Sequence, residues 1–399
     1  MFIQYMGGEI FLKITVRARL LFGIALLAML LHGGGADAFH DGGVGICEGC
    51  HTMHGNGGSS GPWLLKGTDP SSICLNCHAG LGGPDSYTVF SPDGSALTPG
   101  GDFYWLTKDF VWADGASLGN THGHNILAQD FGLFQDMVNN QAPGGTYQSV
   151  HLGCTSCHDP HGKVQGGTMN NSMPVSVSGS YGEAPEAGAV RGNYRLLGDA
   201  VYDGGKPAQG YVFTYNAPIA RQNSINKFGE FDSSHVAYGS GMSEWCGNCH
   251  GNYLINEHST FEHPSGNTEK LSSVMVDNYN TYVRTGDFSG ITATAYLQFV
   301  PFERGISDPE LLDPTSTQGP DANSNVMCLT CHRAHASAFR NAARWDPDAV
   351  LLVDSHPAAG DGGVTGSDVY YSYYGRDIAS EFGTTQRAFC EKCHDVNGP

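Results

Sequence analysis

Every cysteine of the chain belongs to a Cys-x-x-Cys-His unit, and no other feature constrains the fold as strongly. The 399 residues include 12 cysteines, and these form six such units with none left over. The units are Cys47/Cys50/His51, Cys74/Cys77/His78, Cys154/Cys157/His158, Cys246/Cys249/His250, Cys328/Cys331/His332 and Cys390/Cys393/His394. In haem c attachment, two thiols form thioethers with one porphyrin and the adjoining imidazole binds its iron. The sequence therefore predicts six covalent haem c groups, each with its motif histidine as the proximal ligand.

Three other uses of paired cysteines fit the pattern poorly. A disulfide framework has no reason to place a histidine after every second cysteine. Common zinc modules do not repeat one Cys-x-x-Cys-His unit six times. A redox Cys-x-x-Cys motif normally occurs once, beside a βαβ pattern. Haem attachment is the interpretation that accounts for all six units.

The N-terminus resembles a secretory signal peptide. A basic segment around Lys13 precedes an apolar run at 20–31 and an Ala-x-Ala cleavage site at 36–38. The run is too short to span a membrane, and no later segment approaches the required apolar length. We predict a signal peptide at 1–38 and one mature hexahaem domain at 39–399, exported through the periplasm.

Composition favours an irregular fold with an acidic surface. Charged residues make up only 15% of the chain and glycines number 56, while the formal net charge is −19. A strongly acidic surface argues against nucleic acid and anionic lipid as partners. Because each haem supplies a large apolar disc, the chain can wrap porphyrins instead of building its own core. We predict an irregular, loop-rich multihaem cytochrome c with sparse short helices, little sheet and a core formed by six covalent haems.

A few segments still have helical periodicity. Apolar residues at 271–282 recur at helical spacing, and Gly286 is a plausible stop. A weaker pattern occupies 127–138, and the last motif is expected on a short helix over 378–394. The rest of the chain is interrupted by Pro/Gly turns.

Histidines outside the motifs are numerous enough to supply a second axial ligand for every iron. There are 11 of them after the signal peptide: His40, His54, His122, His124, His151, His161, His235, His258, His263, His335 and His356. The first, third and fifth motifs are followed after three residues by His54, His161 and His335, which makes these three strong candidates. His40, just before the first motif, is another.

The remaining histidines are harder to assign as iron ligands or non-ligands. Of His122 and His124, we expect one to be a ligand and the other to be solvated. His235, His258 and His356 are expected not to bind iron. Methionine is the rival ligand, through Met53 and Met327, and it would raise the reduction potential. The ample supply of histidine favours bis-His, low-spin iron.

Bis-His iron has no open position for a substrate, so we expect electron hopping between haems rather than catalysis. Three functions remain open from the residues alone. The chain could form a conductive filament, act as a monomeric periplasmic carrier, or be a multihaem nitrite or sulfite reductase. The reductase is disfavoured because all six motifs end in histidine. Other cytochromes or metal oxides are the expected electron donors and acceptors.

Longer motifs resemble the filament-forming hexahaem cytochromes of the outer-membrane c-type cytochrome S (OmcS) family. The similarity covers nearly the whole mature chain, although this chain is somewhat shorter. It is carried by Phe39-His40 and Cys47 through His54, Cys74 through His78, Cys157 through Gly162, Gly241 through Cys246, Ser324 through Ser337, and Tyr373 through Arg376.

That resemblance implies an extracellular, head-to-tail filament with haems stacked along its axis. The distal ligands that match the family are His40, His54, His124, His161, His263 and His335, with His151 a further match at a different offset from Cys154. In the family, the histidine matching His54 completes the fifth haem of the adjacent subunit. Here that haem would be the one on Cys328 and Cys331. The alternative is that His54 binds a haem of its own chain.

Overall fold

The computed structural model describes residues 47–52, 64–80, 87–160, 178–179, 190–191, 194–200, 202–203, 211–222, 235–254, 263, 265–282, 288–291 and 300–394. The predicted signal peptide and the candidate ligands His40, His54 and His161 lie outside these residues, as do Met53 and His258. All the described residues belong to one unit, His40–Pro399.

Helices in the described part of the chain are short. The α-helices are α1 (Cys47–Cys50), α2 (Pro70–His78), α3 (Met242–Gly247), α4 (Ser273–Thr281), α5 (Cys328–Cys331), α6 (Asp368–Ser372) and α7 (Ile378–Phe382). Single 3-10 turns lie at Phe103–Thr107, Gly119–Thr121, Gln129–Phe131, Ser149–His151, Cys154–Ser156, Tyr194–Leu196, Gly251–Leu254, Pro309–Leu311, Arg340–Ala342, Leu352–Asp354 and Phe389–Lys392.

Strands among the described residues form only two-stranded pairs. The strands are β1 (Phe110–Trp112), β2 (Gly115–Ser117), β3 (Ser178–Gly179), β4 (Val190–Arg191), β5 (Ile219–Gln222) and β6 (Val236–Ser240). The β1–β2 and β5–β6 pairs are antiparallel, and β3–β4 is parallel. The predicted loop-rich fold with sparse helices and little sheet is confirmed.

The predicted helix at 271–282 is present as α4. It begins after Ser272, whose hydroxyl accepts the backbone N–H of Met275 at 3.3 Å, a normal N-cap arrangement. It ends at Thr281, and the Tyr282 side chain is buried beyond it.

The helix predicted at 127–138 is wrong. Only the turn Gln129–Phe131 is helical, and the chain reverses at Gly132, where φ is 72°. The Asp136 carboxylate then accepts the backbone N–H groups of Val138 and Asn139 at 2.7 and 2.8 Å. Such side-chain acceptors compete with helical hydrogen bonds.

The helix predicted at 378–394 is broken into two pieces. The first piece, α7, ends at Gly383, which has φ 76°. The chain then pairs with the segment near residue 351, where Leu352 N–H donates to the Gln386 carbonyl at 2.9 Å. The sixth motif therefore lies on a separate 3-10 turn, Phe389–Lys392.

Buried apolar side chains form three separate clusters in the described part of the chain, and each cluster contacts a motif cysteine. The largest, around Trp105, packs against Cys331 and Cys393. The second, around Tyr238, packs against Cys246, and the third, around Leu75, packs against Cys154. Within the described ranges, no helix combines the length and apolar character needed to cross a bilayer.

Candidate haem sites

Each motif is built on a helical turn that orients its cysteines and histidine together. Cysteines three residues apart lie on one face of such a turn. In four motifs the histidine N–H donates to the carbonyl of the first cysteine at 3.0 Å, at His158, His250, His332 and His394. The same local geometry therefore positions an imidazole beside two thiols at successive places along the chain.

Cys77 differs from most of the motif cysteines, because it lies at the surface of the protein chain and not in a core. Cys77 and Cys390 are exposed, whereas the other motif cysteines whose burial is described are half-buried. Helix α2 buries the side that carries Ser72 and Leu75, and a residue two positions after Leu75 lies on the opposite side of a helix. Cys77 therefore lies on the side of α2 that faces away from Leu75.

A backbone carbonyl fixes the orientation of four motif imidazoles. The Nδ1–H groups of these rings donate at 2.7–2.8 Å: His78 to Tyr87, His158 to Arg195, His250 to Pro143, and His332 to Asn341. A carbonyl only accepts, so it selects the tautomer that leaves the lone pair on Nε2. These imidazoles are therefore prepared to bind a metal through Nε2.

Three further histidines face motif histidines at one nearly constant spacing. Ring centroids are 6.0 Å apart for His124 and His250, 6.3 Å for His158 and His335, and 6.1 Å for His263 and His394. Two imidazoles that bind one metal through nitrogens about 2 Å away have centroids about 6 Å apart. The three pairs fit the two axial ligands of a haem iron.

Two of these distal candidates are held by carbonyl groups in the same manner as the motif histidines. His124 Nδ1 donates to the Ala334 carbonyl at 2.6 Å, and His335 Nδ1 lies 3.4 Å from the Gly101 carbonyl. The ring of Phe103 stacks on His335 at 4.8 Å. Both distal rings thus have an Nε2 that is available for iron.

Burial keeps the imidazoles in the neutral form that binds iron. It lowers the pKa of His335 to about 3 and the pKa of His250 to about 4. It also lowers the pKa of His158. The donor sets, two thiols with one or two neutral imidazoles, fit haem c.

His122 is buried, not solvated as the sequence suggested, and both of its ring nitrogens are engaged. Nδ1 donates to the Trp105 carbonyl at 2.8 Å, and Nε2 is 2.7 Å from the Ser117 hydroxyl. Its ring stacks on Phe110 at 5.6 Å. Of the two histidines, it is His124 whose ring is paired with that of a motif histidine.

The other candidates are placed differently. His151 lies on a 3-10 turn, and in the described part of the chain its ring does not face a motif histidine as the three pairs do. His356 stacks on Trp112 at 4.2 Å and its Nδ1 bonds Asp361 at 2.6 Å. Met327 is fully buried in the second apolar cluster.

Neighbouring motifs contact each other in the order in which they occur along the chain. The side chains of Cys74 and Cys154 lie close enough to interact. Cys246 and Cys328 form an equivalent pair. These contacts join the second motif to the third and the fourth to the fifth.

Three further pairs of cysteines lie near one another: Cys50 and Cys74, Cys157 and Cys249, and Cys331 and Cys390. Each motif therefore has a cysteine near one of the next motif along the chain.

A two-motif repeat is visible in this series. Ser71, three residues before Cys74, accepts the N–H of Cys154 at 3.0 Å. Ser243, three residues before Cys246, accepts the N–H of Cys328 at 3.2 Å. The sequence reasoning did not single out these serines, although their shared position before the second and fourth motifs is readable. The junction between motifs two and three is thus repeated between motifs four and five.

Comparison with known proteins gives one relative and two solved structures. The chain is 39% identical over 420 aligned positions to C-type cytochrome OmcS of Geobacter sulfurreducens (strain ATCC 51573 / DSM 12127 / PCA), covering 93% of this chain and 97% of that protein. It resembles the cryo-EM structure of OmcS nanowires from G. sulfurreducens with TM-score 0.75 and 37% identity, over 90% of this chain and 100% of that one. The Outer Membrane Cytochrome S filament structure from the same organism gives TM-score 0.70 and 38% identity with the same coverage. No family model matches the chain.

Proposed function

The chain belongs to the OmcS family of c-type cytochromes, and from that membership we propose that it is the hexahaem subunit of an extracellular filament that conducts electrons. When bound, each haem c supplies an iron that cycles between the ferric and ferrous states. The observation that carries the proposal is the set of three imidazole pairs at 6.0–6.3 Å. Two histidines per iron leave no position for a substrate, which favours electron transfer over a reductase.

The two-motif repeat suggests which distal histidine serves which site. His335 follows the fifth motif by three residues and faces His158 of the third motif. The same shift of two motifs assigns His161, which follows the third motif, to the iron of the first motif and His51. His54 follows the first motif, and the same chain has no motif two places earlier. In a head-to-tail series of subunits, the motif two places earlier is the fifth motif of a second subunit, with proximal His332.

The even-numbered motifs follow a parallel rule. His124 lies between the second and third motifs and faces His250 of the fourth. His263 lies between the fourth and fifth motifs and faces His394 of the sixth. The corresponding ligand of the second motif would lie before the first motif, where His40 stands. Six of the seven candidates are used, and His151 has no place in this scheme.

Self-assembly follows from this arrangement. A ligand supplied by His54 of one subunit to the fifth site of the next would join subunits head to tail and place the terminal haems of both close together. The chain's own residues orient the imidazoles and keep water from the sites. The filament structures of the similar proteins support this assembly. A monomeric carrier would instead close all six irons within one chain.

The setting we propose is outside the cell. A signal peptide at 1–38 would export the chain through the periplasm. The formal charge of −19 suits cationic surfaces and partners. Other cytochromes and metal oxides are the proposed donors and acceptors.

The test is His54→Ala, with His151→Ala as the matched control. The His54→Ala chain should still mature with six haems, but one iron should become high-spin and filaments should be lost or shortened. His151→Ala should form normal, low-spin filaments. Electron microscopy of the secreted fraction and the spin state of the oxidised protein are the readouts. Full-length, entirely low-spin filaments of His54→Ala would eliminate ligation across the subunit boundary.

A further inference from the structure

Buried cations are concentrated at two of the six sites. In the described ranges, the buried Lys and Arg side chains are Arg333, Arg344 and Lys392, each 2% exposed. Protein atoms alone bury them. Arg333 and Arg344 lie at the fifth motif, and Lys392 lies inside the sixth, between its two cysteines. Such burial is costly for a cation, so the placement calls for a functional reason.

Hydrogen bonds hold both arginines at the fifth motif. Arg344 donates Nε–H to the Leu329 carbonyl, inside the motif, at 2.6 Å, and its backbone N–H bonds the Cys331 carbonyl at 2.8 Å. Arg333 follows the proximal histidine directly. Its guanidinium stacks 3.3 Å from the Tyr374 ring centroid, and one NH group donates to the Pro99 carbonyl at 3.0 Å. Neither charge can move away from the site without breaking these contacts.

Lys392 is held against aromatic rings. Its ammonium lies 4.4 Å from the centroid of Tyr279 and 5.3 Å from that of Tyr282. Both tyrosine side chains are buried. Cation–π contacts stabilise the charge without neutralising it. The sixth site therefore has a buried ammonium group between its two cysteines, next to Glu391, which pairs with Arg387.

The second and third sites have buried acids instead. Asp69, 7% exposed, caps helix α2 of the second motif. Asp159, 4% exposed, follows the proximal His158 directly, the position that Arg333 occupies after His332. The contrast is partial, because half-buried Arg195 lies at the third site and buried Glu303 lies near the fifth. Asp346, two residues after Arg344, is also buried, and half-buried Glu391 lies inside the sixth motif. Even so, all three buried cations of the described residues lie at the fifth and sixth sites.

We propose that Arg333, Arg344 and Lys392 raise the reduction potentials of the fifth and sixth haems above those of the second and third, so that an electron rests preferentially at the C-terminal pair. This inference rests on the proposed function. Reduction adds one electron to an iron centre, and a nearby buried cation stabilises the added negative charge. The electron passes from one iron to the next, and none of these side chains gains or loses a proton. By the ligand scheme above, the fifth site is also the one that His54 of the next subunit completes.

The experiment is a potentiometric titration of the secreted holoprotein, followed by haem absorbance, for Lys392→Met and Arg333→Gln. The control is Arg340→Gln, because Arg340 is 48% exposed, lies on the same segment and pairs with exposed Asp348. Each buried-cation variant should move the high-potential limb of the curve to lower potential and leave the low-potential limb in place. Asp159→Asn should move the low-potential limb upward, and Arg340→Gln should overlay the wild type.

Haem content and spin state are measured first on every variant. Fewer than six haems in the wild type would contradict the proposed function rather than this inference. A Lys392→Met protein with six low-spin haems and an unchanged titration curve would overturn the inference. Because methionine fills the lysine site with an apolar chain of similar length, this variant keeps the test available even if Arg333→Gln does not fold.

Discussion

His122 and His124 are two residues apart, and their different contacts predict two different failures. The ring of His124 is paired with that of His250. His124→Ala should therefore open one iron of six, or about a sixth of the haem. His122→Ala should open none. Instead it should leave the Ser117 hydroxyl and the Trp105 carbonyl without their imidazole partner. That loss should cost about 1–3 kcal/mol in the free energy of unfolding.

The assay is the high-spin fraction of the oxidised protein, measured by electron paramagnetic resonance and calibrated against total haem, together with the urea unfolding midpoint. His124→Ala should show the high-spin signal with a modest change in midpoint. His122→Ala should show a lowered midpoint without that signal. An all-low-spin His124→Ala protein, or a high-spin His122→Ala protein, would refute the ligand assignment.

Two further outcomes are expected. Burial lowers the pKa of His122 from 6.5 to about 4, so the fold favours its neutral form. The resulting stabilisation, about 3 kcal/mol, is complete above pH 6.5 and lost as pH falls from there towards 4, and His122→Gln should flatten this part of a pH series of unfolding midpoints. Separately, replacing Cys154 and Cys157 by serine should sharply reduce secreted yield, because Cys154 adjoins the third apolar cluster and contacts the second motif. Normal yield and protease resistance in that variant would show that the third haem is not part of the core.

The attachment sites are predicted from the sequence alone because their chemistry is local: two thiols and an imidazole within five residues need no tertiary information. Helix α4 was predictable for a similar reason, since its apolar spacing and the Ser272 cap lie within one segment. The segments 127–138 and 378–394 have comparable spacing. In these segments the apolar spacing does not produce a continuous helix. Positive φ angles at Gly132 and Gly383 end the helical turns, and the Asp136 carboxylate accepts the N–H of Val138.

Which motif cysteines are covered by protein atoms could not be predicted in the same way. The six motifs share one pattern, yet Cys77 is exposed while Cys74, on the same helix, is half-buried. The difference depends on which side of α2 packs against the third apolar cluster, through Leu75. That packing involves segments far from the motif, so the motif sequence does not indicate it.

Choosing among the distal histidines required contacts between residues far apart in the chain. His335 and His158 are separated by more than a hundred residues, and no sequence pattern relates them. The histidine three residues after each odd-numbered motif is a candidate ligand from the sequence, but only the structure shows that His335 lies beside His158. Likewise, no local pattern distinguishes His122 from His124, although the family resemblance favoured His124. Only the Ser117 hydroxyl and the Trp105 carbonyl show that His122 is already engaged.

The central claim is that each subunit completes the fifth haem of its neighbour, and a cryo-EM map of the secreted filament tests it most directly. The map should show the iron held by Cys328, Cys331 and His332 bound on its other face by His54 of the adjacent subunit. It should also show His335 opposite His158, and His124 opposite His250. A fifth iron bound instead by a histidine or methionine of its own chain would contradict the account.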